Sequence, residues 1–321
     1  MRDVGVRDGE GRGRGGRGVS RRARDRSWPP DPEPLPVGVV DNHTHLDSAP
    51  DLDGAQEPPT LAAQIARAAA VGVPRMVQIG CDLAAARWTD RVVREHAALL
   101  GGVAIHPNEA TLFAGARDVG PDGFAPAPRP EHASGLDAAI AEIADLARGN
   151  ERLRVIGETG LDHFRCGPDG RAAQRESFRA HIALAKELGL ALQIHDRDAH
   201  AEVLEVLVRD GAPERTVFHC FSGDAELARF AVARGWYLSF AGPVTFARNT
   251  GLRDALREAP LGQVLVETDA PYLTPHPYRG RPNAPYLVPL TMATIAQVQG
   301  VDLETACRAV AATSESVYGT W

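Results

Sequence analysis

The sequence predicts an α/β fold, a (β/α)8 TIM barrel with additional C-terminal helices. Short apolar runs bounded by polar residues recur eight times along the chain, with the length and composition of strands buried in a parallel sheet. Amphipathic runs of helical periodicity separate these strands. Eight consecutive strand-and-helix units are the number that closes into a barrel. An open, doubly wound sheet is the alternative architecture.

Five of the predicted strands end directly before a polar, potentially metal-binding side chain, and three others complete the set. In a parallel sheet, the residue after such a strand lies at the carboxyl end of the sheet, where barrel enzymes place their active sites. The predicted strands are the runs ending at Val40, Gly157, Ile194, Phe218 and Val266, and residues 75–80, 102–105 and 236–241.

The predicted helices show an apolar face at helical spacing. In residues 172–188, for example, Phe178, Ile182 and Ala185 recur on one face, and Gly189 follows where a helix C-terminus favours a residue without a Cβ atom. Residues 114–134 are rich in Pro, Gly and Asp, so we expect a long surface loop there. The helices are residues 61–71, 83–99, 136–148, 172–188, 199–208, 225–234 and 252–258, followed by the additional helices 285–298 and 303–317.

The composition is that of an acidic chain without a membrane segment. The 321 residues are 44% hydrophobic and carry a formal net charge of −7, which excludes a strongly basic nucleic-acid coat protein. No apolar stretch approaches the roughly 20 residues that span a bilayer. The cysteines form no Cys-x-x-Cys pair, which favours reduced thiols over a thiolate zinc site or disulfides. We expect a cytoplasmic monomer.

Residues 1–37 differ in composition from the rest of the chain. Residues 11–18 are rich in Arg and Gly, and five prolines follow between residues 29 and 36 without periodicity. These are compositional signs of disorder, so we predict a disordered N-terminal extension, residues 1–37, and a barrel domain, residues 38–321. The extension is either a weak nucleic-acid-binding arm or a segment without a role.

Polar side chains at the strand ends form a candidate metal site. His43 and His45 point to the same side of an extended chain, so both imidazoles can reach one ion. Glu158 ends an apolar strand, where an unpaired carboxylate is expensive to bury. Four histidines and two carboxylates are a ligand set for two divalent metals. The candidate ligands are His43, His45, Glu158, His195, His219 and Asp269.

Simpler interpretations exist for each of these residues. Glu158 could form a salt bridge with Arg165 or Arg197, and a single strand-end histidine is more often a hydrogen-bonded core residue than a ligand. Asp269 is also the candidate general base, because a carboxylate can accept a proton from bound water. Asp162 and Glu267 could instead orient the ligand imidazoles.

The motifs of this chain resemble those of the TatD family of metal-dependent deoxyribonucleases, in the family's order and from about residue 37 to the C-terminus. The resemblance implies a TIM-barrel metallohydrolase of the amidohydrolase type. The motifs that carry it are residues 41–47 (DNHTHLD), 105–107 (IHP), 157–162 (GETGLD), 195–199 (HDRDA), 219–223 (HCFSG), 267–273 (ETDAPYL) and 279–283 (RGRPN).

The resemblance implies a division of the ligands between two ions. His43, His45, Glu158 and Asp269 would hold one ion, and Glu158, His195 and His219 the other. It also implies catalytic roles for Glu158 and Asp269. The ions would be Zn, Mn or Mg, since imidazoles favour Zn or Mn and phosphate substrates suit Mg or Mn.

The implied activity is hydrolysis of phosphodiester bonds from the 3′ ends of DNA. An alternative is metal-dependent hydrolysis of an amide or ester bond in a small molecule or an aminoacyl-tRNA. Because the barrel is acidic, we expect it to bind a few nucleotides of a single-stranded DNA end instead of a long duplex. The candidate phosphate-binding residues are Arg165, Arg197, Arg279, Arg281 and Asn283.

Overall fold

The computed structural model describes residues 25–48 and 58–321. Eight parallel strands form one sheet in which each strand pairs with its neighbours in sequence. The first strand meets the chain just after the eighth: Asp269 N–H donates to His43 O at 3.0 Å, and His45 N–H donates to Ala270 O at 2.8 Å. These bonds bring the two edges of the sheet together. The prediction of a (β/α)8 barrel is confirmed.

Strands and helices alternate along the described chain. Among the described residues, no helix combines the length and apolar character needed to cross a membrane. The strands are β1 Val40–Thr44, β2 Arg75–Gly80, β3 Leu99–Val103, β4 Leu153–Asp162, β5 Ala191–Arg197, β6 Thr216–Phe218, β7 Tyr237–Phe240 and β8 Val264–Val266. The helices are α1 Leu61–Ala70, α2 Leu83–Glu95, α3 Pro107–Phe113, α4 Leu136–Gly149, α5 Pro168–Leu188, α6 His200–Asp210, α7 Ala225–Val232, α8 Thr250–Glu258, α9 Val288–Gln299 and α10 Leu303–Tyr318.

Two apolar cores hold the barrel together. The larger lies between the sheet and the surrounding helices. The smaller core groups side chains of the strands with Val317 and Tyr318 at the end of α10. The C-terminal helix therefore contributes to the strand core as well as to the outer layer. The strand residues of the smaller core are Val40, Val77, Ile79, Leu100, Val155, Ala191, Val217 and Leu265.

The boundary between α2 and β3 differs from the sequence prediction. We predicted a helix over residues 83–99 and a strand over 102–105, but α2 ends at Glu95 and β3 begins at Leu99. His96 is already extended, with φ −126° and ψ 107°. Leu99 and Leu100 are fully buried in the sheet. Their spacing from the apolar residues of α2 also fits a helix, which is why periodicity alone extended the predicted helix to Leu99 and left Leu100 outside the predicted strand.

The strands that carry polar residues are longer than predicted. β4 continues four residues beyond Glu158, and β5 two residues beyond His195, with Gly160 paired to His195. Gly160 has φ +144°, and a Cβ atom there would clash with the carbonyl oxygen of His195. Glycine therefore permits the close pairing of these strands. Glu158 and His195 lie inside strands near the carboxyl end of the barrel, and not after the strands.

Helix α3 was not predicted from the sequence. Pro107 occupies its first turn, and His106 caps it, since His106 Nδ1 accepts a hydrogen bond from Asn108 N–H at 3.1 Å. The predicted surface loop 114–134 holds no strand or α-helix, but a short 3-10 helix, Pro130–Ser134, closes it. Helix α5 begins at Pro168, four residues before the predicted start.

The N-terminal extension divides into two parts. The disorder predicted for residues 1–24 lies outside the described residues. Residues 25–37, which we also predicted to be disordered, contact the barrel instead. Leu35 is buried, and its N–H donates to Val71 O at 3.1 Å. Asp31 pairs with Arg67 of α1 at 2.6 Å. The average composition of residues 25–37 does not reveal these contacts, because only a few apolar and acidic residues among the prolines make them.

Adding a methyl group at Gly80 tests the packing of α2 on β2. A Cβ atom at Gly80 would lie 2.7 Å from backbone atoms of Ala85 and Ala86, so the helix would have to shift. We expect Gly80→Ala to lower the free energy of unfolding by about 1–3 kcal/mol, measured by thermal and denaturant unfolding. Gly251→Ala is the control, since nothing lies within 4 Å of that position in α8. An unchanged melting temperature for Gly80→Ala would contradict the packing.

Candidate metal centre

The carboxylate of Glu158 lies at the centre of the candidate site, and the residue is only 5% exposed. Its Oε1 lies 3.8 Å from His43 Nε2 and 3.6 Å from His45 Nε2. Its Oε2 lies 3.0 Å from His195 Nδ1 and 2.7 Å from His219 Nε2. Each oxygen of one buried carboxylate therefore faces a different pair of imidazoles.

Asp269 completes the group around Oε1. Its Oδ1 lies 3.4 Å from His45 Nε2 and 3.8 Å from His43 Nε2. The backbone of Asp269 has φ +53°, a left-handed conformation that is uncommon for residues other than glycine. The bond from its N–H to His43 O holds it there. Such conformations concentrate at functional sites, where surrounding contacts keep them in place.

Each of the four imidazoles commits its other nitrogen to the barrel. A carbonyl or carboxylate oxygen accepts a hydrogen bond from that outer nitrogen, so a ring that gives up its second proton presents the lone pair of its inner nitrogen toward Glu158. These bonds fix both the tautomer and the orientation of each ring. The pairs are His43 Nδ1 with Gln193 Oε1 (2.7 Å), His45 Nδ1 with Ile79 O (3.1 Å), His195 Nε2 with Asp162 Oδ2 (3.2 Å) and His219 Nδ1 with Glu267 Oε1 (3.3 Å).

The charges of the cluster shift its pKa values strongly. Burial raises the pKa of Glu158, but the surrounding imidazoles outweigh burial and hold that pKa well below its usual value. Burial disfavours the charged form of His45 and His195, yet neighbouring carboxylates raise the pKa of each to about 9. The carboxylates of this site thus favour the protonated, positively charged forms of His45 and His195.

The donor set fits divalent metal ions. Two ligand atoms that share one ion at about 2.1 Å are about 3.4 Å apart in tetrahedral geometry, which is close to the separations around Oε1. Imidazole nitrogens and carboxylate oxygens are ligands of Zn and Mn. The groups whose ligand atoms lie within 4.8 Å of one another include His43, His45 and Asp269; His43, Glu158 and His219; and His106, Glu158 and His195.

Two residues beside the cluster were absent from the predicted ligand set. The Cys81 thiol donates a hydrogen bond to Glu158 Oε1 at 3.2 Å. His106 Nε2 lies 3.8 Å from Glu158 Oε2, and its ring is 4.5 Å from that of His195. Cys81 directly follows β2 and His106 follows β3. Like the predicted ligands, both are potential metal ligands that follow a strand, and this position could have identified them. Cys81 lacks the Cys-x-x-Cys partner that is typical of a thiolate metal site.

Three predicted phosphate-binding arginines are exposed and lie over aromatic rings. The guanidinium carbon of Arg197 is 4.1 Å from the ring centroid of Phe164, and that of Arg165 is 5.7 Å from Phe124. Arg279 lies 4.9 Å from the ring of Phe246. Such contacts restrain a guanidinium. Arg165 is also restrained by an ion pair, since its Nε lies 3.4 Å from Asp122 Oδ2.

The other two predicted phosphate-binding residues are engaged within the protein. Arg281 donates to Ser27 O at 2.8 Å and to Trp28 O at 2.6 Å. Asn283 is 2% exposed, and its amide donates to Thr268 O at 2.9 Å and also to Tyr272 O. Asn283 therefore positions the loop that carries Asp269, and Arg281 secures the N-terminal segment. The structure thus gives both residues structural contacts in place of the predicted ones.

Gln193 links the cluster to the C-terminal helix. Its Oε1 accepts from His43, and its Nε2 donates to Asn42 O and to the hydroxyl of Tyr318, both at 2.8 Å. Gln193 is fully buried, so each of these bonds replaces one that water cannot supply. The orientation of His43 therefore depends on a residue of α10.

Comparison with known proteins finds a family model and relatives that match most of the chain. The model of the TatD-related DNase family matches residues 40–319. The metal-dependent hydrolase TatD of Mycobacterium tuberculosis is 41% identical over 81% of this chain and 90% of its own length. The metal-dependent hydrolase YabD of Bacillus subtilis is 33% identical over 82% of this chain and 92% of its own length.

A solved structure supports the same fold. The crystal structure of YjjV, a TatD homologue from Escherichia coli K12, superposes with a TM-score of 0.73 at 22% sequence identity. It covers 88% of this chain and 98% of its own chain. The barrel is therefore shared almost along its whole length, whereas residues 25–39 precede the part that the family model matches.

Removing the acceptor on His43 tests the role of Gln193. We expect Gln193→Leu to weaken the affinity for Zn2+ or Mn2+ by roughly 10- to 100-fold, because the imidazole loses the bond that fixes its tautomer. Calorimetric titration of metal-free protein measures the affinity. Gln263→Leu is the control, since the side-chain amide of Gln263 donates to the Val232 and Trp236 carbonyls, far from the cluster. Unchanged affinity in a folded Gln193→Leu protein would contradict this role.

Metal binding should release protons. Because the pKa values of His45 and His195 are raised to about 9, both rings are protonated at pH 7 without metal, and an ion must displace these protons. Affinity should rise with pH up to about 9, roughly tenfold per pH unit for each proton released. Calorimetry in buffers of different ionisation enthalpy counts the protons.

His200 provides the control for proton release. Its pKa is also raised, by its bond to Asp196, but its partner lies outside the cluster. We expect His200→Gln to release as many protons as the wild type, and Asp162→Asn to release fewer at pH 8. Metal binding without proton release at pH 7 would show that the rings are neutral in the metal-free protein.

Proposed function

Because the chain belongs to the family of TatD-related DNases, we propose that this metal-dependent hydrolase is a deoxyribonuclease that shortens single-stranded DNA from its 3′ end. The observation that carries the proposal is the placement of Glu158, with one carboxylate oxygen toward His43 and His45 and the other toward His195 and His219. A carboxylate shared in this way suits two ions acting on one phosphodiester.

The two ions would divide the ligands at Glu158. His43, His45 and Asp269 would hold one ion, and His195 and His219 the other. Zn2+, Mn2+ or Mg2+, when bound, supplies positive charge that activates water and offsets the charge on phosphoryl oxygens. Glu158 would fix the two groups of ligands relative to each other, because it is buried and its backbone belongs to β4.

Asp269 would accept the proton of the attacking water. Its Oδ1 faces both His43 and His45, so the proton acceptor lies beside the ligands of one ion. The loop after β8 positions Asp269 through its own N–H and through Asn283. A general base placed in this way contributes about 10²- to 10⁴-fold to the rate.

Arg197 and Arg165 would bind the phosphates next to the scissile bond. Arg197 ends β5, two residues after His195, and Arg165 follows β4. Both are exposed, so a phosphate can reach them. Paired N–H groups of a guanidinium match two phosphate oxygens. Since the chain as a whole is acidic, a few local contacts at a DNA end suit it better than a long duplex.

A cleavage assay on metal-loaded protein tests the proposed function. We expect release of mononucleotides from 3′-labelled single-stranded DNA and no cleavage of closed circular single strands. Glu158→Gln should abolish the activity, because both ligand groups depend on this carboxylate. Asp269→Asn should lower kcat by about 10²- to 10⁴-fold.

The control is another glutamate-to-glutamine change. Glu187 pairs with Arg148 on the outer surface at 2.8 Å and is 59% exposed, so Glu187→Gln should retain full activity. Equal cleavage of linear and circular DNA would exclude an exonuclease. Hydrolysis of carboxylic esters or aminoacyl-tRNA, with intact DNA, would establish the alternative hydrolase activity instead.

A further inference from the structure

Exposed apolar side chains concentrate in two loops at the carboxyl end of the barrel. Among the described residues, five large apolar side chains are exposed. Val119 and Phe124 lie in the loop between α3 and α4, and Tyr272 and Leu273 lie in the loop after β8, whereas Val208 lies on α6. Phe124 is the most exposed of the five, at 69%. Single apolar residues scattered over a surface need no explanation, but this grouping is not scattered.

The loop that carries Phe124 is fixed to the segment after β4. Asp122 N–H donates to Phe164 O at 3.1 Å, and Asp122 Oδ1 accepts from Phe124 N–H at 3.0 Å. Asp122 Oδ2 also lies 3.4 Å from Arg165 Nε. A Cβ atom on Gly120 would lie 2.6 Å from the backbone of Arg165, so the two segments are in close contact. These contacts hold the exposed ring next to Arg165, whose guanidinium carbon is 5.7 Å from the ring centroid.

Arg165 is bonded to the polar layer around the candidate metal centre. Its N–H donates to Asp162 Oδ1 at 2.9 Å, and Asp162 Oδ2 lies 3.2 Å from His195 Nε2. The backbone of Arg165 is therefore separated from a candidate metal ligand by a single side chain. At the other group of ligands, the exposed ring of Tyr272 lies 6.2 Å from the ring of His45. Each ligand group thus has an exposed aromatic ring in a loop near it.

A ring beside a guanidinium offers two contacts that one nucleotide can use together. The face of a phenylalanine ring stacks on any base, because every base has a π-face. The guanidinium of Arg165 is 52% exposed, and its paired N–H groups match phosphate oxygens. Bases inside a duplex already stack on one another and are not available to a protein ring. The pair therefore suits a single strand and reads no sequence.

We propose that Phe124 is a base-stacking residue for single-stranded nucleic acid, and that the phosphate of the stacked nucleotide lies against Arg165. The proposal rests on the proposed function and deepens it, since it adds a base-binding residue beside an arginine that would bind phosphate. Asp122 is then a positioning residue, because it bonds both to the backbone of Phe124 and to the side chain of Arg165.

Binding to metal-free protein tests the proposal separately from catalysis. Fluorescence anisotropy with labelled (dT)10 in EDTA measures Kd. We expect Phe124→Ala to weaken binding by roughly 5- to 150-fold, and Phe124→Trp to restore it, because a ring is again present for stacking. Arg165→Gln should reduce the slope of log Kd against log salt by about 0.7, the value for one phosphate of a single strand.

Strands with an abasic site separate stacking from support of the loop. In a set of strands, each base in turn is replaced by an abasic site. If Phe124 stacks on a base, the loss caused by Phe124→Ala should disappear on the strand that lacks this base. A loss of the same size on every strand, or no loss on (dT)10, would overturn the proposal.

Another pair of phenylalanine and arginine provides the matched control. The guanidinium carbon of Arg234 lies 3.4 Å from the ring centroid of Phe230, which is in the last turn of α7. Barrel helices run from the carboxyl ends of the strands back to their amino ends, so this pair lies away from the metal centre. We expect folded Phe230→Ala and Arg234→Gln proteins to bind (dT)10 with the wild-type Kd and salt dependence.

The two proposals fail in different ways. DNA that is cleaved by metal-loaded protein, with a Kd unaffected by Phe124→Ala, would overturn only the stacking role. DNA that binds in a Phe124-dependent manner but is never cleaved would overturn only the proposed exonuclease. Because the first measurement needs no metal and the second does, one preparation of protein serves both.

Discussion

Burial of the Glu158 carboxylate is the constraint on which the site depends. A charge with 5% exposure requires compensation from its surroundings, and four imidazoles supply it. Each ring then needs a partner for its second nitrogen, so a further layer of polar groups is buried around the first. This layer includes Gln193, Asp162 and Glu267. Burial of the Glu158 carboxylate therefore explains why the interior at the carboxyl end of the barrel is polar.

Much of the fold and of the ligand set could be predicted, because both depend on local patterns. Buried parallel strands are continuous apolar runs, and their carboxyl ends converge, so polar residues such as His219 or Asp269 could be grouped without coordinates. Boundaries were less accurate where two periodicities coincide. Leu99 and Leu100 fit a helix as well as a strand, and only the fold assigns them to β3.

Residues that act through tertiary contacts could not be found in this way. Gln193 and Tyr318 are 125 residues apart and meet because α10 closes on the strand core. Gln193 stands out in the sequence because it interrupts an apolar strand. Its partner Tyr318 cannot be read from the sequence. From the sequence we predicted that Arg281 binds phosphate. In the structure it donates hydrogen bonds to backbone carbonyls of the N-terminal segment. The N–H groups of arginine donate to carbonyl oxygens as well as to phosphate oxygens, so residue type alone does not decide between them.

The division between rigid strands and variable segments explains why ligands do not reveal the substrate. His43, Glu158 and His195 lie in strands that the whole sheet holds in place, and the chemistry of this candidate centre suits hydrolysis of more than one kind of bond. Discrimination between substrates must then depend on other groups around the site, such as Arg165 in the loop after β4. Proteins with this metal centre can therefore differ in substrate without any change in a ligand.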